Sequence, residues 1–314
     1  MNRKTKIILI IILTLLLLAT LGLYFLLNSR TTNSEPRRLF LPEGTTYQAL
    51  CDSLDASRSF RLFAETLGLD ERVRPGSYVV EPHMSNLALV RKLRNGQQDP
   101  LRLTIGKFRT PQQLNEYLNK KLMHNDFNIP LDSFHLVLQD TYEFYWTVTP
   151  EQFMQRMGKE YDKFWGVKGS EEDSLSLRKI IILASIVEEE TNNNAEKPTI
   201  ASVYLNRLQR GMPLQADPTV KYAVGDFTLR RILHKHLATD SPFNTYLHTG
   251  LPPAPICLPS KATIKAVLNA PETNYIYFCA SPQMDGTHRF AATIAEHQRN
   301  AAAFHRALDQ RGVK

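Results

Sequence analysis

Three consecutive glutamates, at positions 188 to 190, follow a run from Ile180 to Val187 whose only polar residue is Ser185. A helix that is apolar nearly all round is a buried helix, so its last turn is expected at the edge of a core or cleft. A carboxyl group held there loses hydration, its pKa rises, and it can donate a proton near neutral pH. The alternative is a solvated acidic helix end, which the helix dipole disfavours.

Periodicity leaves two candidates for the proton donor. Glu188 lies one turn beyond Ala184, which puts it on an apolar stripe of the predicted helix. Glu190 stands in the same relation to Ile186. Spacing alone therefore does not choose between Glu188 and Glu190.

Near the N-terminus, far from the acids in the sequence, lies an uncharged segment, Ile7–Leu27. Its 21 residues suffice to cross a bilayer as a helix. No small-residue cleavage pattern follows it, so we predict a single-pass anchor instead of a removable signal peptide. Arg3, Lys4 and Lys6 precede the segment. The positive-inside rule therefore predicts a cytoplasmic tail at residues 1–6 and an extracytoplasmic chain from Asn28 onward, at the inner (cytoplasmic) membrane.

The distribution of charge argues against nucleic acid as a partner. The formal net charge is +7, but residues 1–38 hold six of the Lys and Arg residues and one acid. The rest of the chain carries 32 basic and 30 acidic residues, which is close to neutral. Nucleic-acid binding requires a concentrated basic face, and the sequence indicates none.

The cysteines and histidines do not have metal-ligand spacing. Cys51, Cys257 and Cys279 are an odd number, and no cluster of His, Cys or Asp surrounds His288. A Cys257–Cys279 bridge is conceivable outside the cytoplasm, but small buried apolar residues are the favoured interpretation. We predict no metal and no cofactor.

Patterning after the anchor predicts an α+β chain in two parts. A polar linker at 28–37 leads to a small βααβ module at 38–100, with strands at 38–41 and 76–80 and Gly68 as a helix C-cap. The region 101–314 is predicted to be mostly helical with a small sheet. Its helices are expected at 114–122, 150–164, 175–190, 196–210 and after Asp217, Ser260 and Thr293.

Six motifs in order resemble the endolytic murein transglycosylases of the YceG/MltG-like family. Together they cover most of the chain from about Leu41 to the last predicted helix. The motifs are SIVEEET at 185–191, ASVYLNRL at 201–208, LQADPT at 214–219, FNTY at 243–246, GLPP at 250–253 and HRF at 288–290. The chain departs from the family pattern at Phe243, at Ala254 and in the aromatic segment 142–144, while the acidic centre is intact.

The resemblance implies a reaction and a set of roles. The family cleaves the β-1,4 bond between N-acetylmuramic acid and N-acetylglucosamine and closes a 1,6-anhydro ring, which needs one acid that becomes the base. The resemblance favours Glu188 as that acid and Glu190 as its support. It further implies peptidoglycan strands and cell-wall synthases as partners, and a LysM-like module before residue 100. Expected sugar contacts are Asn206, Gln215, Asn244, Tyr246 and His288, while Asp217 is interpreted as a helix N-cap.

Two other functions compete with this one. A hydrolytic muramidase on the same substrate would require a second carboxylate across the cleft, such as Asp217. A non-catalytic peptidoglycan-binding scaffold of a cell-wall synthesis complex would use Ile7–Leu27 only to stay at the membrane. The complete acidic motif argues against the scaffold.

Overall fold

The computed structural model describes residues 3–166, 171–229 and 231–311 of the 314-residue chain. Met1 and Asn2, at the start of the predicted tail, and the last three residues of the predicted region 101–314 lie outside the described residues. The chain divides into two compact units. Unit 1 comprises Met1–Leu103, Lys121–His124 and Glu143–Val148, and unit 2 comprises Thr104–Lys120, Asn125–Tyr142 and Thr149–Lys314.

The chain begins with a long apolar helix, α1 (Arg3–Leu27), which starts four residues before the predicted span. At 1.5 Å per residue its 25 residues measure about 37 Å, enough to cross a bilayer. None of its residues is buried. Among the described residues, it is the one helix long and apolar enough to span a membrane.

The rest of unit 1 is built around a βααβ segment. Its elements are β1 (Arg37–Leu41), α2 (Tyr47–Leu54), α3 (Arg58–Leu67) and β2 (Gly76–Val80), followed by α4 (Asn86–Asn95). β1 and β2 pair antiparallel with Leu39 opposite Tyr78. The N-caps are Thr46, Ser57 and Ser85, and their hydroxyls accept from backbone N–H groups in the first turns of α2, α3 and α4. The order of elements agrees with the sequence prediction.

The predicted linker is held against this module. The Asn86 backbone N–H donates to the Ser29 carbonyl at 3.0 Å, and the Thr31 N–H donates to the Met84 carbonyl at 2.8 Å. Leu26, at the end of α1, packs against the module's apolar core. The start of α4 therefore lies directly beside the end of α1.

A second two-stranded sheet is formed by β3 (Leu101–Ile105) and β4 (Asp140–Phe144). Between these strands lie α5 (Pro111–Lys121) and a short 3-10 turn at Phe134–Leu136. β4 was not predicted from the sequence. α6 (Pro150–Trp165) follows, opened by a capping box at Thr149.

The core of unit 2 is centred on α7 (Glu171–Glu190). This helix packs against α8 (Lys197–Gln209), α9 (Asp217–Val224) and α11 (Lys261–Leu268); the short α10 (His234–Leu237) packs on α9. The residues at 181–187 are all at most 4 % exposed. The prediction of a buried helix ending in the acidic cluster is therefore confirmed.

A third small sheet and a final helix complete unit 2. β5 (Tyr277–Ala280) pairs antiparallel with β6 (His288–Ala291), and α12 (Ile294–Gln310) packs on both strands. The alternating pattern of residues 274–279 predicts a strand from Asn274, and β5 starts three residues later. Cys51 and Cys257 are buried free thiols and Cys279 is a half-buried one, so the conceivable Cys257–Cys279 bridge is absent.

Candidate active site

The end of α7 directs three adjacent carboxylates to three different surroundings. Successive residues of a helix are turned by about 100°, so Glu188, Glu189 and Glu190 cannot share one neighbour. Glu188 faces α8 and α11, Glu189 faces two cations near the start of unit 2, and Glu190 faces Tyr204 and a cleft. These surroundings determine what each acid can do.

Glu188 is held as a carboxylate by three donors. Lys197 Nζ and Ser260 Oγ each donate to its Oε2 at 3.0 Å, and Thr263 Oγ1 donates to the same oxygen. Burial alone would raise its pKa, but the hydrogen bonds from Thr263 and Lys197, the Lys197 charge and the Ser260 hydrogen bond together lower it below the ordinary value. The raised pKa that the sequence predicted for Glu188 is therefore wrong, because the buried helix end is lined with donors.

Glu189 is an ion-pair residue. Its carboxylate lies 3.2 Å from Lys107 Nζ and 3.0 Å from an Arg109 terminal nitrogen. Arg109 also donates through Nε at 3.3 Å, so the guanidinium approaches the carboxylate with two nitrogens. This acid joins α7 to the segment between β3 and α5.

Glu190 has the properties that the sequence predicted for Glu188. Tyr204 Oη donates to its Oε1 at 2.5 Å. The pKa of Glu190 is raised to about 7. Burial is the largest cause and the negative charges of Asp217 and Glu189 add to it, while the Tyr204 hydrogen bond and the Arg207 charge oppose the shift. A carboxyl group with this pKa is partly protonated at neutral pH, so it can both donate and accept a proton.

Asp217 lies close enough to Glu190 for its charge to affect that pKa. It was interpreted as an N-cap, but Ala216 holds the cap position of α9 and no side chain caps the helix. Instead, the Asp217 carboxylate accepts a hydrogen bond from Tyr246 Oη at 2.6 Å. Burial and this hydrogen bond raise the pKa of Tyr246, which therefore stays a neutral donor.

A cleft of about 610 Å³ opens beside Glu190. Glu190 is the one member of the acidic cluster that lines it, together with the polar segment 191–193 that follows α7. The opposite wall comes from the β5–β6 hairpin and α12. Its lining residues there are Ala280, Ser281, Met284, Asp285, Gly286, Thr287, His288, Phe304 and Leu308.

His288 lies on the wall of this cleft and is oriented by Glu196. The His288 backbone N–H donates to Glu196 Oε1 at 2.8 Å, and its Nδ1 lies 3.0 Å from Glu196 Oε2. Since the carboxylate engages Nδ1, Nε2 is the ring nitrogen left for other partners. The structure therefore brings His288 and Glu190 to one cleft.

The three amides expected to contact sugar are engaged with the protein. Asn206 Nδ2 donates to the carbonyls of Thr273 and Tyr275 at 2.8 and 2.9 Å. Asn244 is fully buried, and its Nδ2 donates to the carbonyls of Leu237 and Thr239. Gln215 has a positive φ of 50° and accepts from Arg207 at 3.4 Å. None of the three lines the cleft, so their contact with sugar stays a prediction without a supporting contact.

Several residues that determine the site's chemistry were missed or read as core. Helical spacing puts Tyr204 on the apolar face of α8 with Ile200 and Val203, and it is 2 % exposed, but its hydroxyl reaches Glu190. Lys197 is 5 % exposed and was not distinguished from a surface cation. A polar atom on an otherwise apolar helix face was the available signal for Tyr204. Within the described ranges, no group of three His, Cys, Asp or Glu residues is arranged to hold a metal ion.

Comparison with known proteins finds one family model and relatives that share one name. The model of the YceG-like family matches residues 39–303. An endolytic murein transglycosylase of Bacillus subtilis is 37 % identical over 188 residues, which is 59 % of this chain and 49 % of that protein. An endolytic murein transglycosylase of Streptococcus pneumoniae is 30 % identical over 156 residues, 48 % of this chain and 28 % of that protein. The match therefore spans half or less of the length of these curated relatives.

A solved structure is similar over most of the chain. The crystal structure of a YceG-like protein of Listeria monocytogenes superposes with a TM-score of 0.51 at 25 % sequence identity. The alignment covers 85 % of this chain and 99 % of that one. The family match includes both the βααβ module and the acidic cluster. The chain belongs to the YceG-like family.

Proposed function

We propose that the protein is an endolytic peptidoglycan lytic transglycosylase with Glu190 as its acid and base. The observation that carries the proposal is a carboxyl group with a pKa of about 7 on the wall of a 610 Å³ cleft. The B. subtilis and S. pneumoniae relatives that bear this activity in their names support the substrate class. No cofactor takes part in the proposed reaction.

The reaction needs one carboxyl group that changes role. Glu190 first protonates the glycosidic oxygen between N-acetylmuramic acid and N-acetylglucosamine, which lets that oxygen leave C1. The resulting carboxylate then takes the proton from the 6-hydroxyl of the muramyl residue, whose oxygen closes onto C1 as a 1,6-anhydro ring. A pKa near the working pH suits both steps. Tyr204 occupies Oε1, which leaves Oε2 for the substrate.

This assignment replaces the expected Glu188. Glu188 Oε2 accepts three hydrogen bonds and pairs with a buried lysine, so its ionised form is stabilised and it is a poor proton donor. Its partners lie on α8 and at the start of α11. We therefore assign Glu188 to positioning: it fixes the last turn of α7, from which Glu190 projects.

A hydrolytic muramidase is the second candidate, and Asp217 is the observation that favours it. The Asp217 charge acts on Glu190, as a second carboxylate in a glycosidase site would. Asp217 does not line the cleft, and Tyr246 donates to it at 2.6 Å. The other acid that lines the cleft, Asp285, accepts two hydrogen bonds from Thr287 within the turn of the β5–β6 hairpin. This engagement of both aspartates supports the lytic reaction over the hydrolytic one.

The proposal includes the place of action. α1 is interpreted as a membrane anchor with Arg3, Lys4 and Lys6 on the cytoplasmic side, so that both units act on nascent glycan at the outer face of the cytoplasmic membrane. The βααβ module is interpreted as LysM-like because two antiparallel strands enclose two helices. Cell-wall synthases are the partners that this location suggests.

Mass spectrometry of digested glycan tests the reaction. The full chain in detergent is incubated with purified peptidoglycan strands, and the new ends are weighed. We expect 1,6-anhydro ends, which are lighter than reducing ends by one water. New reducing ends would favour the muramidase, and the absence of any cleavage would favour a non-catalytic scaffold.

A further inference from the structure

A second cleft lies in unit 1, where α3 and α4 end. It has a volume of about 320 Å³ and is lined by Gly68, Arg72, Arg74, Arg94 and Asn95. We call it the arginine cleft. Three of its five lining residues are arginines, and none is acidic. The fold brings these arginines together from positions up to 22 residues apart in the sequence.

Arg74 is held in place by the backbone of α4. Its Nε donates to the Arg94 carbonyl at 2.9 Å, which leaves both terminal nitrogens of the guanidinium for another partner. Gly96 makes room for this side chain, since a Cβ at that position would lie 2.8 Å from Arg74 Cδ. Gly96 also has a positive φ of 66°, so a larger residue there would be strained. The local backbone is therefore shaped around Arg74.

The three arginines lack acidic partners within the described part of the chain. No ion pair there involves Arg72, Arg74 or Arg94, whereas Lys92 on the same helix as Arg94 pairs with Asp99 at 2.7 Å. Glu71 approaches Gly68 but forms no ion pair with them. Three guanidinium groups around one cavity repel one another, and an oxyanion bound between them relieves that repulsion.

The arginine cleft lies at the ends of α3 and α4 that are remote from α1. α3 and α4 begin side by side, since Asn86 Nδ2 donates to the hydroxyls of Ser57 and Ser59. The same amide donates to Ser29, just after α1. Each helix has 10 residues, so their far ends lie about 15 Å from this point. The arginine cleft therefore lies about 15 Å along α3 and α4 from the point where the chain leaves α1.

We propose that the arginine cleft binds the free carboxylates of peptidoglycan stem peptides. This inference rests on the proposed function, since the substrate class supplies the ligand. The hydroxyl and acetamido groups of the glycan are uncharged, and in a peptide-bearing strand the lactyl carboxyl of each muramyl residue is consumed in the amide bond to its peptide. The free carboxylates of the peptides are therefore the oxyanions that such a strand presents. The planar guanidinium matches a carboxylate with two parallel hydrogen bonds. The module would thereby retain strands with free peptide carboxylates in preference to strands whose carboxylates are neutralised.

Binding to two forms of one strand tests the proposal. The full chain in detergent carries Glu190→Gln to prevent cleavage, and affinity is measured by calorimetry for peptide-bearing strands and for peptide-free strands. In the peptide-free strands, the lactyl carboxylates exposed by removal of the peptides are converted to amides. We expect the combined Arg72→Gln, Arg74→Gln and Arg94→Gln variant to bind peptide-bearing strands at least fivefold more weakly. Its affinity for peptide-free strands should not change.

A matched control removes the same charge elsewhere in unit 1. Arg58, Arg91 and Arg102 are exposed and do not line the cleft, so replacing all three by Gln should leave both affinities unchanged. If the triple variant does not fold, the same two affinities are measured for the single Arg94→Gln variant, with the same direction of change expected. Unchanged affinity for peptide-bearing strands, or an equal loss for peptide-free strands, would overturn the proposal. Cleavage of peptide-free strands by the wild type tests the proposed function separately.

Discussion

The last turn of α7 places two carboxyl groups, those of Glu188 and Glu190, in environments that shift their pKa values in opposite directions. On one side, Glu188 receives hydrogen bonds from Lys197, Ser260 and Thr263, and its pKa is lowered. On the other side, Glu190 has one hydrogen bond from Tyr204, and burial raises its pKa to about 7. Desolvation acts on both acids, so the number of donors decides the sign of the shift. Burial of an acid is therefore insufficient to identify a proton donor.

Catalysis should separate the two sides most strongly. Replacing Glu190 by Gln removes the transferable proton, and we expect cleavage to fall by at least about 100-fold, the usual contribution of a general acid. Glu188→Gln is the matched control and should keep activity within about tenfold, because its role is positioning. Quantification of released anhydro ends measures both. An equal loss in a well-folded Glu188→Gln protein would return the catalytic role to Glu188.

Stability should respond to the same two substitutions with opposite sign. Glu190 has a raised folded pKa, so the folded state binds more protons than the unfolded state between pH 4.5 and about 7, and stability falls as pH rises through that window. Glu190→Gln should therefore stabilise the protein by roughly 3 kcal/mol at pH 8 and by little at pH 4.

Glu188→Gln should instead destabilise the protein by about 3 kcal/mol at neutral pH, because it leaves the buried Lys197 without its anion. The folded pKa of Glu188 is lowered, so its contribution is present above the unfolded pKa and is lost as pH falls through the folded one. Urea unfolding of both variants at several pH values measures these effects. A loss of stability in Glu190→Gln at pH 8 would contradict the burial argument.

The pH profile of cleavage should move in opposite directions when the neighbours of Glu190 are changed. Tyr204→Phe removes a hydrogen bond that lowers the pKa of Glu190, so the alkaline limb should shift upward. Asp217→Asn removes a charge that raises it, so the limb should shift downward. Each shift should be roughly one pH unit or less. Profiles of kcat/KM measure them, and two shifts in one direction would refute the assignment of Glu190 as the titrating acid.

The smallest effect is expected at His288, across the cleft from the acidic cluster. Gln places an amide near the position of Nε2, whereas Asn places one near Nδ1 and can keep the contact with Glu196. We expect His288→Asn to raise KM by about two- to tenfold, as one lost hydrogen bond would, and His288→Gln to raise it less. Thermal unfolding is the control. A lower KM in His288→Asn than in His288→Gln would show that His288 matters through its contact with Glu196 and not through a contact with the substrate.

The regular elements were predictable because their causes are local. Ser260 and Thr293 cap helices as expected, since a side-chain oxygen one step before a helix satisfies a free N–H in any fold. β4 escaped prediction because its short segment is a strand only through pairing with β3. Asp217 was misread for a related reason, since its partner Tyr246 lies 29 positions away.

By itself, the sequence determined the apolar helix at the N-terminus, the βααβ order and a buried helix that ends in three acids. These follow from periodicity and capping, which depend on neighbours within a few residues. It also placed the acidic motif among the family's other motifs. Only the tertiary structure decided which acid has a lowered pKa and which a raised one, because Lys197, Thr263 and Tyr204 reach α7 from other helices. A pKa is set by all charges and donors around a group in space, and that surrounding exists only after the chain has folded.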